Sequence, residues 1–478
     1  MRPAWRAADV RTGEKALMAT LPPGTLMQRA AAGLARRCVL LLTERTGVYG
    51  ARVHLLVGSG DNGGDALFAG GFLARRGAQV TAQILNPAKA HRDGLDAFQR
   101  AGGRVQDEPP STVDLLVDGI VGIGAKGGLR PDAAKALKAA TMSRPIVVAV
   151  DVPSGVDVDT GAARGAHVTA DVTVTFGCLK PAHVVGPAAP LAGHVELVDI
   201  GLRPWLKTAP AVRVPERDDV ADIWPKLRPD SEKYNRGVVG IATGSATYPG
   251  AAVLGVGGAL AGPAGMVRYA GTARDEVLHH YPSVIASERF TDAGRVQAWV
   301  CGSGLGTDDT AKQTLRSVLA APVPAVLDAD ALSLLVDGSM AHLLRDRDAP
   351  IVLTPHDREF SRLAAEEPGD DRVAAALQLA AQTNAVVLLK GDRTIVATPD
   401  GRAYANPTGT SALATGGTGD VLAGLLGSLL ASGLKPERAA VVAAYAHGLA
   451  GREAARHGPV TAPDVVTALR TVVADLTS

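Results

Sequence analysis

The sequence predicts an α/β protein of two domains, each a mostly parallel sheet covered by helices on both faces. Three observations predict it. Short aliphatic runs that end in Gly-, Asp- or Ser-rich loops and lead into small-residue helical stretches recur along the chain. At 478 residues the chain is long for one domain. Between Arg203 and Arg217 the periodicity is lost and Pro204, Pro210 and Pro215 appear, as at a domain join. The domains are expected at 1–205 and 218–478, with 206–217 as linker.

Composition narrows the class. The chain is 46% hydrophobic but only 4% aromatic, with 55 glycines and 30 prolines, which describes short aliphatic strands and many tight turns. A net charge of +1 gives no electrostatic case for nucleic acid or an anionic membrane. Cys38, Cys178 and Cys301 are scattered, with no CxxC or Cys/His cluster, which suggests a reducing compartment and no zinc site. The N-terminus alternates charges (Arg2, Arg6, Asp9, Arg11, Glu14, Lys15) and lacks the apolar core of a signal peptide. The uncharged stretch from Pro249 to Val267 is broken by glycines and Pro263, so it reads as a buried helix and not a membrane span. A cytoplasmic protein is expected.

In the first half, Ala16 to Leu42 reads as helical, interrupted by Pro22-Pro23-Gly24. The strand Val53 to Val57 runs into Gly58-Ser59-Gly60-Asp61-Asn62-Gly63-Gly64-Asp65 and a helix. That is formally a dinucleotide-binding fingerprint. The next strand, Val80 to Leu85, ends in Asn86-Pro87 and offers no carboxylate to a ribose, which counts against a plain NAD-binding domain. Val113 to Val117 leads to Asp118 and the loop Gly122-Ile123-Gly124-Ala125-Lys126-Gly127-Gly128. Ile146 to Val150 leads to Asp151-Val152-Pro153-Ser154-Gly155. Carboxyl ends of parallel strands form one rim, where ligands bind. Asn62, Asp118, Asp151 and Ser154 would converge there as oxygen donors suited to a hard cation. Taken singly, each also reads as a helix or turn cap.

These segments, with Thr175-Phe176-Gly177-x-x-Lys180 and Gly193 to Gly201, resemble in order and spacing the epimerase domain of the NAD(P)H-hydrate repair enzymes. The resemblance implies a Rossmann-like three-layer sandwich that interconverts the R and S epimers of hydrated NADH or NADPH beside a potassium ion. By matching position, Asn62, Asp118 and Ser154 would hold the potassium. Asp61, Asn62, Gly63, Gly64 and Asp65, the loop Gly122, Ile123, Gly124, Ala125, Lys126, Gly127 and Gly128, and Asp151 would contact the hydrate. Asp151 is the candidate acid/base. The chain departs from the family's usual Asn-Asn-Gly-Gly-Asp by Asp61, and its 122–128 loop carries Ile123 and Ala125-Lys126. Asp61 adds negative charge near a pyrophosphate-bearing ligand, which Lys126 would offset.

In the second half, Val238 to Ala242 leads to Thr243-Gly244-Ser245 and the small-residue segment from Gly250, whose side chains favour close packing. Trp299-Val300-Cys301 enters Gly302-Ser303-Gly304, Val326-Leu327 enters Asp328-Ala329-Asp330-Ala331-Leu332, and Ile351 to Leu353 enters Thr354-Pro355-His356. Val386 to Leu389 enters Lys390-Gly391-Asp392-Arg393-Thr394. Last comes Thr415-Gly416-Gly417-Thr418-Gly419-Asp420, followed by an apolar stripe at Leu422, Leu425, Leu426 and Leu429 that ends near Gly433 and Pro436. A Gly-rich turn into a helix presents free N–H groups to phosphate. Asp420, in the first turn, is placed to take a proton from a hydroxyl attacking that phosphate. Alone, the motif also fits an ordinary turn with a dipole-favoured aspartate.

Lys390-Gly391-x-x-Thr394, Asn406-x-x-Gly409 and Gly416 to Asp420 resemble the carbohydrate-kinase-like dehydratase domain of the same repair family, within the ribokinase-like superfamily. Thr-Pro-His and Asp-Ala-Asp-Ala-Leu narrow the likeness to the ADP-dependent (S)-NAD(P)H-hydrate dehydratase. Carried over, Ala251, Gly304, His356 and Asp420 would contact the hydrate. Lys390, Gly391, Asp392, Arg393 and Thr394, with Gly419, would hold the adenine nucleotide. The implied chemistry phosphorylates the ring hydroxyl from ADP, so that the ring nitrogen expels phosphate and leaves NAD(P)H and AMP. Magnesium with the nucleotide is expected from phosphoryl transfer, although no dedicated carboxylate pair stands out. The resemblance also implies a homo-oligomer. Two competing readings are a vitamin or sugar kinase fused to a nucleotide-binding domain, and a non-enzymatic NAD(P)H sensor.

Overall fold

The computed structural model describes all residues except Thr46, Ala125, Asp337, Ser339, Asp346 and Ser478. Two units form, Pro3–Ala211 and Met1–Arg2 with Val212–Ser478. Within the stretch read as linker, Val212–Val214 is a strand paired with Ala403–Ala405, so the join is part of a sheet.

The N-terminal unit carries seven parallel strands in the order Arg104–Val105, Gln79–Ile84, Arg52–Val57, Leu115–Gly119, Ile146–Val150, Val172–Phe176, His194–Val198. Strand side chains alternate between faces. Leu55, Val117 and Val148 therefore join a core with the helices Thr25–Arg45 and Asp61–Ala74, while Leu56, Leu116 and Ala149 join one with Pro131–Ala140. The three layers follow from that alternation. The first helix, Ala7–Met18, starts earlier than its periodicity predicts, because the Asp159 carboxylate accepts from the Ala7 amide at 2.7 Å. The strand expected to stop at Val117 continues through Asp118, in register with Leu56. Asp118 is thus inside the sheet and wholly buried.

The C-terminal unit is built on a second, mixed sheet. Seven parallel strands run in the order Val386–Leu389, Ile351–Leu353, Ala325–Leu327, Ala298–Cys301, Val238–Ala242, Met266–Ala270, Ile285–Ser287. Ile395–Ala397 and Ala403–Ala405 extend the sheet antiparallel from Val386–Leu389. The small-residue segment is the helix Pro249–Leu260, packed backbone to backbone on Thr418–Ala431. A Cβ on Gly424 would stand 1.9 Å from the Gly255 carbonyl oxygen, and one on Gly258 would stand 2.1 Å from that of Val421. Close packing, and not ligand access, explains most of its composition. Among the described residues no helix is long and apolar enough to cross a membrane.

Candidate functional site

At the strand ends of the N-terminal unit, Gly60 adopts φ +91° and turns the chain into the helix Asp61–Ala74. Asn62 lies in its first turn, against Gly122, where a Cβ would come within 2.6 Å of the amide oxygen. Ser154 donates to Asp118 from its hydroxyl at 2.6 Å and from its amide at 2.8 Å, and the Ile120 amide adds a third bond at 3.2 Å. All three donors are neutral. Burial pushes the Asp118 carboxyl up to about 6, opposed only by these bonds. The Asn62 Nδ2 atom is buried and has no hydrogen-bond partner among the described residues. A buried carboxylate lacking a cationic partner, with hydroxyl and amide groups beside it, fits a hard monovalent cation.

Asp151 belongs to a different set of contacts. At φ +67° its side chain meets the Lys180 ammonium at 2.5 Å and the Thr175 hydroxyl at 3.0 Å, while His183 Nε2 bonds its carbonyl oxygen at 2.8 Å. Lys180 is 1% exposed. Burial, the largest influence, lowers its pKa, but Asp151 together with Cys178 and Glu14 outweighs it and raises the ammonium's pKa. Lys180 closes the motif Thr175-Phe176-Gly177-x-x-Lys180, yet sequence reasoning gave it no role. Beside it lies a cavity of about 380 Å³ lined by Glu14, Asp61, Asp65, Phe68, His91 and Phe176, among others. In the 122–128 loop, the Ile123 carbonyl accepts from Arg11 at 3.1 Å, Lys126 is exposed, and Ala125 lies outside the described residues.

In the C-terminal unit, Gly417 at φ +88° caps the helix Thr418–Ala431, so its first amides face the turn and Asp420 sits one turn in. Burial, then the repulsion of Asp328, raises the Asp420 carboxyl to about 7, against the pull of the Ser303 hydroxyl and Lys390. Lys390 Nζ stands 2.7 Å from Asp328, 3.6 Å from Glu359, and 3.5 Å from where a Gly419 Cβ would be. Asp328, 2% exposed, also accepts from Thr354 at 2.8 Å and Ser303 at 3.3 Å. Two facing carboxylates, Asp328 and Asp420, with one ammonium between phosphate-binding amides, fit a divalent cation arriving with phosphate. Asp328, Ser303 and Thr354 had no assigned role in the sequence, although each lies in a strand-end motif noted there, and Glu359 lies three residues beyond one.

The remaining candidates fall into two groups. Gly304, at φ +65°, lies against Ala251, whose Cβ is 2.7 Å from where a Gly304 Cβ would be. His356 is exposed and caps the helix Asp357–Ala364, exchanging bonds with Glu359 at 3.3 and 2.9 Å. The 390–394 loop is fixed by Thr394 bonding the Gly391 carbonyl at 2.9 Å and Arg393 bonding that of Pro407 at 2.7 Å. The Asp392 carbonyl presses on Gly409, where a Cβ would stand 1.8 Å away. A cavity of about 450 Å³, lined by Tyr234, Arg268 and Arg295, opens at the amino end of Val238–Ala242, the end opposite this chemistry.

Comparison with known proteins follows the two halves. Residues 23–182 match the family described as YjeF-related protein N-terminus, and residues 239–470 match NAD(P)H-hydrate dehydratase. A bifunctional NAD(P)H-hydrate repair enzyme of Mycobacterium tuberculosis is 51% identical over 441 residues, 92% of this chain and 91% of its own. The ADP/ATP-dependent NAD(P)H-hydrate dehydratase of Bacillus subtilis, crystallised with ATP and Mg2+, is 28% identical. It covers 55% of this chain and 99% of its own at a TM-score of 0.50. A ribokinase-like superfamily protein of Enterococcus faecalis is 26% identical, covering 56% of this chain and 96% of its own at a TM-score of 0.51. With a family model matched in each half and nine-tenths of its length shared with one such enzyme, the chain belongs to the family of bifunctional NAD(P)H-hydrate repair enzymes.

Proposed function

We propose that residues 1–205 perform the epimerase half of the repair and residues 218–478 the dehydratase half. The enzyme interconverts R and S hydrates of NADH and NADPH and dehydrates the S epimer, with ADP as phosphoryl donor. In the dehydratase half Asp420 takes the proton of the ring hydroxyl as its oxygen attacks the β-phosphorus of ADP, breaking the bond to the bridging oxygen and releasing AMP. The first amides of the helix Thr418–Ala431 and the Lys390 ammonium stabilise the charge of the transferring group. The phosphate ester is a far better leaving group than hydroxide. The ring nitrogen's lone pair expels phosphate to form a C=N bond, and loss of a proton from the adjacent ring carbon then restores the ring double bond and returns the pair to nitrogen. Lys390 to Thr394 and Gly419 hold the nucleotide, and Ala251, Gly304 and His356 line the hydrate's path. Magnesium, when bound with the nucleotide, would screen the phosphate charge beside Asp328 and Asp420.

In the epimerase half, Asp151 with Lys180 forms the polar wall. Asp61 to Asp65 and the 122–128 loop flank the hydrate, and Asn62, Asp118 and Ser154 hold potassium, which would neutralise the buried carboxylate. We assign the protein to the cytoplasm, as a homo-oligomer. The observation that carries the dehydratase reading is a carboxylate raised to about 7, one turn into a phosphate-ready helix and beside a paired lysine. Asp420→Asn should lower the rate of S-hydrate dehydration by about 100- to 10,000-fold while nucleotide binding, read by calorimetry, stays intact. A variant with undiminished turnover would remove Asp420 from the base role.

A further inference from the structure

Glu14 lies on the helix Ala7–Met18, before the matched residues 23–182 and outside the motifs described above, yet it lines the cavity beside Asp151 and Lys180. The groups that face it come from several elements. Arg11 lies one turn back on its own helix, Asp61 and Asp65 on the helix Asp61–Ala74, Asp151 at a strand end, and Lys180 and Cys178 after the strand Val172–Phe176. His91 and Asp93 stand on the cavity rim. Glu14 and Asp151 thus lie near the buried Lys180 ammonium, and Asp61 and Asp65 lie near Glu14. Such a set cannot stay fully ionised out of water. The cavity lining also includes Met18, Leu21, Phe68, Phe176 and Ile200, apolar side chains that suit a flat ring.

We propose that Glu14 exchanges a proton with the ring hydroxyl of the hydrate during epimerisation, a role that rests on assigning that reaction to this unit. Protonated Glu14 gives its proton to the departing oxygen. The C–O pair leaves with that oxygen as water, and the lone pair of the ring nitrogen forms the C=N bond. Water then adds to the opposite face: its oxygen pair makes the new C–O bond, the C=N pair returns to nitrogen, and the released proton goes back to the Glu14 carboxylate. Burial, partly offset by Lys180 and reinforced by Asp151 and Asp61, raises the Glu14 carboxyl to about 7. Both forms are therefore present near neutrality. Asp65 is raised well above the usual range, chiefly by burial.

The test follows R-to-S interconversion by proton NMR in potassium buffer without nucleotide. The wild-type rate should fall as pH rises through about 7, because the reactive form is protonated. Glu14→Gln should lose about 100-fold and show no such limb, whereas Glu14→Asp should keep one. Asp61→Asn leaves Glu14 in place and decides the matter even if Glu14→Gln fails to fold. Removing that negative neighbour should move the limb to lower pH. A Glu14→Gln enzyme with wild-type rate and limb, or an Asp61→Asn limb that does not move, would overturn the role of Glu14 alone. A wild-type chain that does not accelerate interconversion would overturn the epimerase assignment with it.

Discussion

Asp118 and Asp420 are both buried carboxylates, and what stands next to each determines what it can do. Asp420 shares a cluster with Lys390 and is left poised near 7, whereas Asp118 is raised to about 6 with only neutral donors around it. The folded chain holds the Asp118 proton more tightly than the unfolded chain does. No stability is lost to it below about pH 4, and stability is lost as pH rises from there through about 6. A cation beside the carboxylate cancels that loss. In buffer whose only small cation is sodium, the thermal midpoint should therefore fall between about pH 5 and about pH 7.5. Potassium should restore it, and Asp118→Asn should flatten both responses. An Asp118→Asn midpoint that still rises with potassium, as in wild type, would take Asp118 out of the cation site.

At the scale of elements, the helix Thr418–Ala431 is held in place by the helix Pro249–Leu260. Gly424 and Gly258 let their backbones touch, which sets where the amides of Thr418 and Gly419 point. Gly424→Ala puts a methyl group into the Gly255 carbonyl, so it should cost about 1–3 kcal/mol of stability and raise KM for nucleotide more than Gly427→Ala, which meets a side chain instead. A Gly424→Ala chain with wild-type melting would mean the helices separate freely. The small-residue pattern made this packing legible in the sequence. So did the alternation of strand and Gly-rich loop that set the carboxyl-end rim. Contacts made across long separations were not legible. Asp159 starts the first helix early, the register with Leu56 draws Asp118 into its strand, and Val212–Val214 turns part of a proline-rich join into sheet. The site shows the same division. Asp420, Lys390, Asp118 and Ser154 stood out by motif, whereas Glu14 and the partnership of Lys180 with Asp151 depend on tertiary packing.

Across the whole molecule the two units answer one chemical problem. Dehydration selective for the S hydrate leaves the R hydrate stranded, and a second site that interconverts the two returns it to the reaction. Such pairing in one chain makes the account testable in a single absorbance trace at the dihydronicotinamide band, with mixed R and S hydrate, potassium, magnesium and limiting enzyme. With ADP, the wild-type chain should recover all the NADH, faster than the hydrates epimerise unaided. Asp420→Asn should recover none, and Asp151→Asn should stall once the S epimer is spent. Recovery that stalls in the wild type, or runs to completion in Asp151→Asn at the wild-type rate, would contradict the claim that this chain carries both halves of the repair.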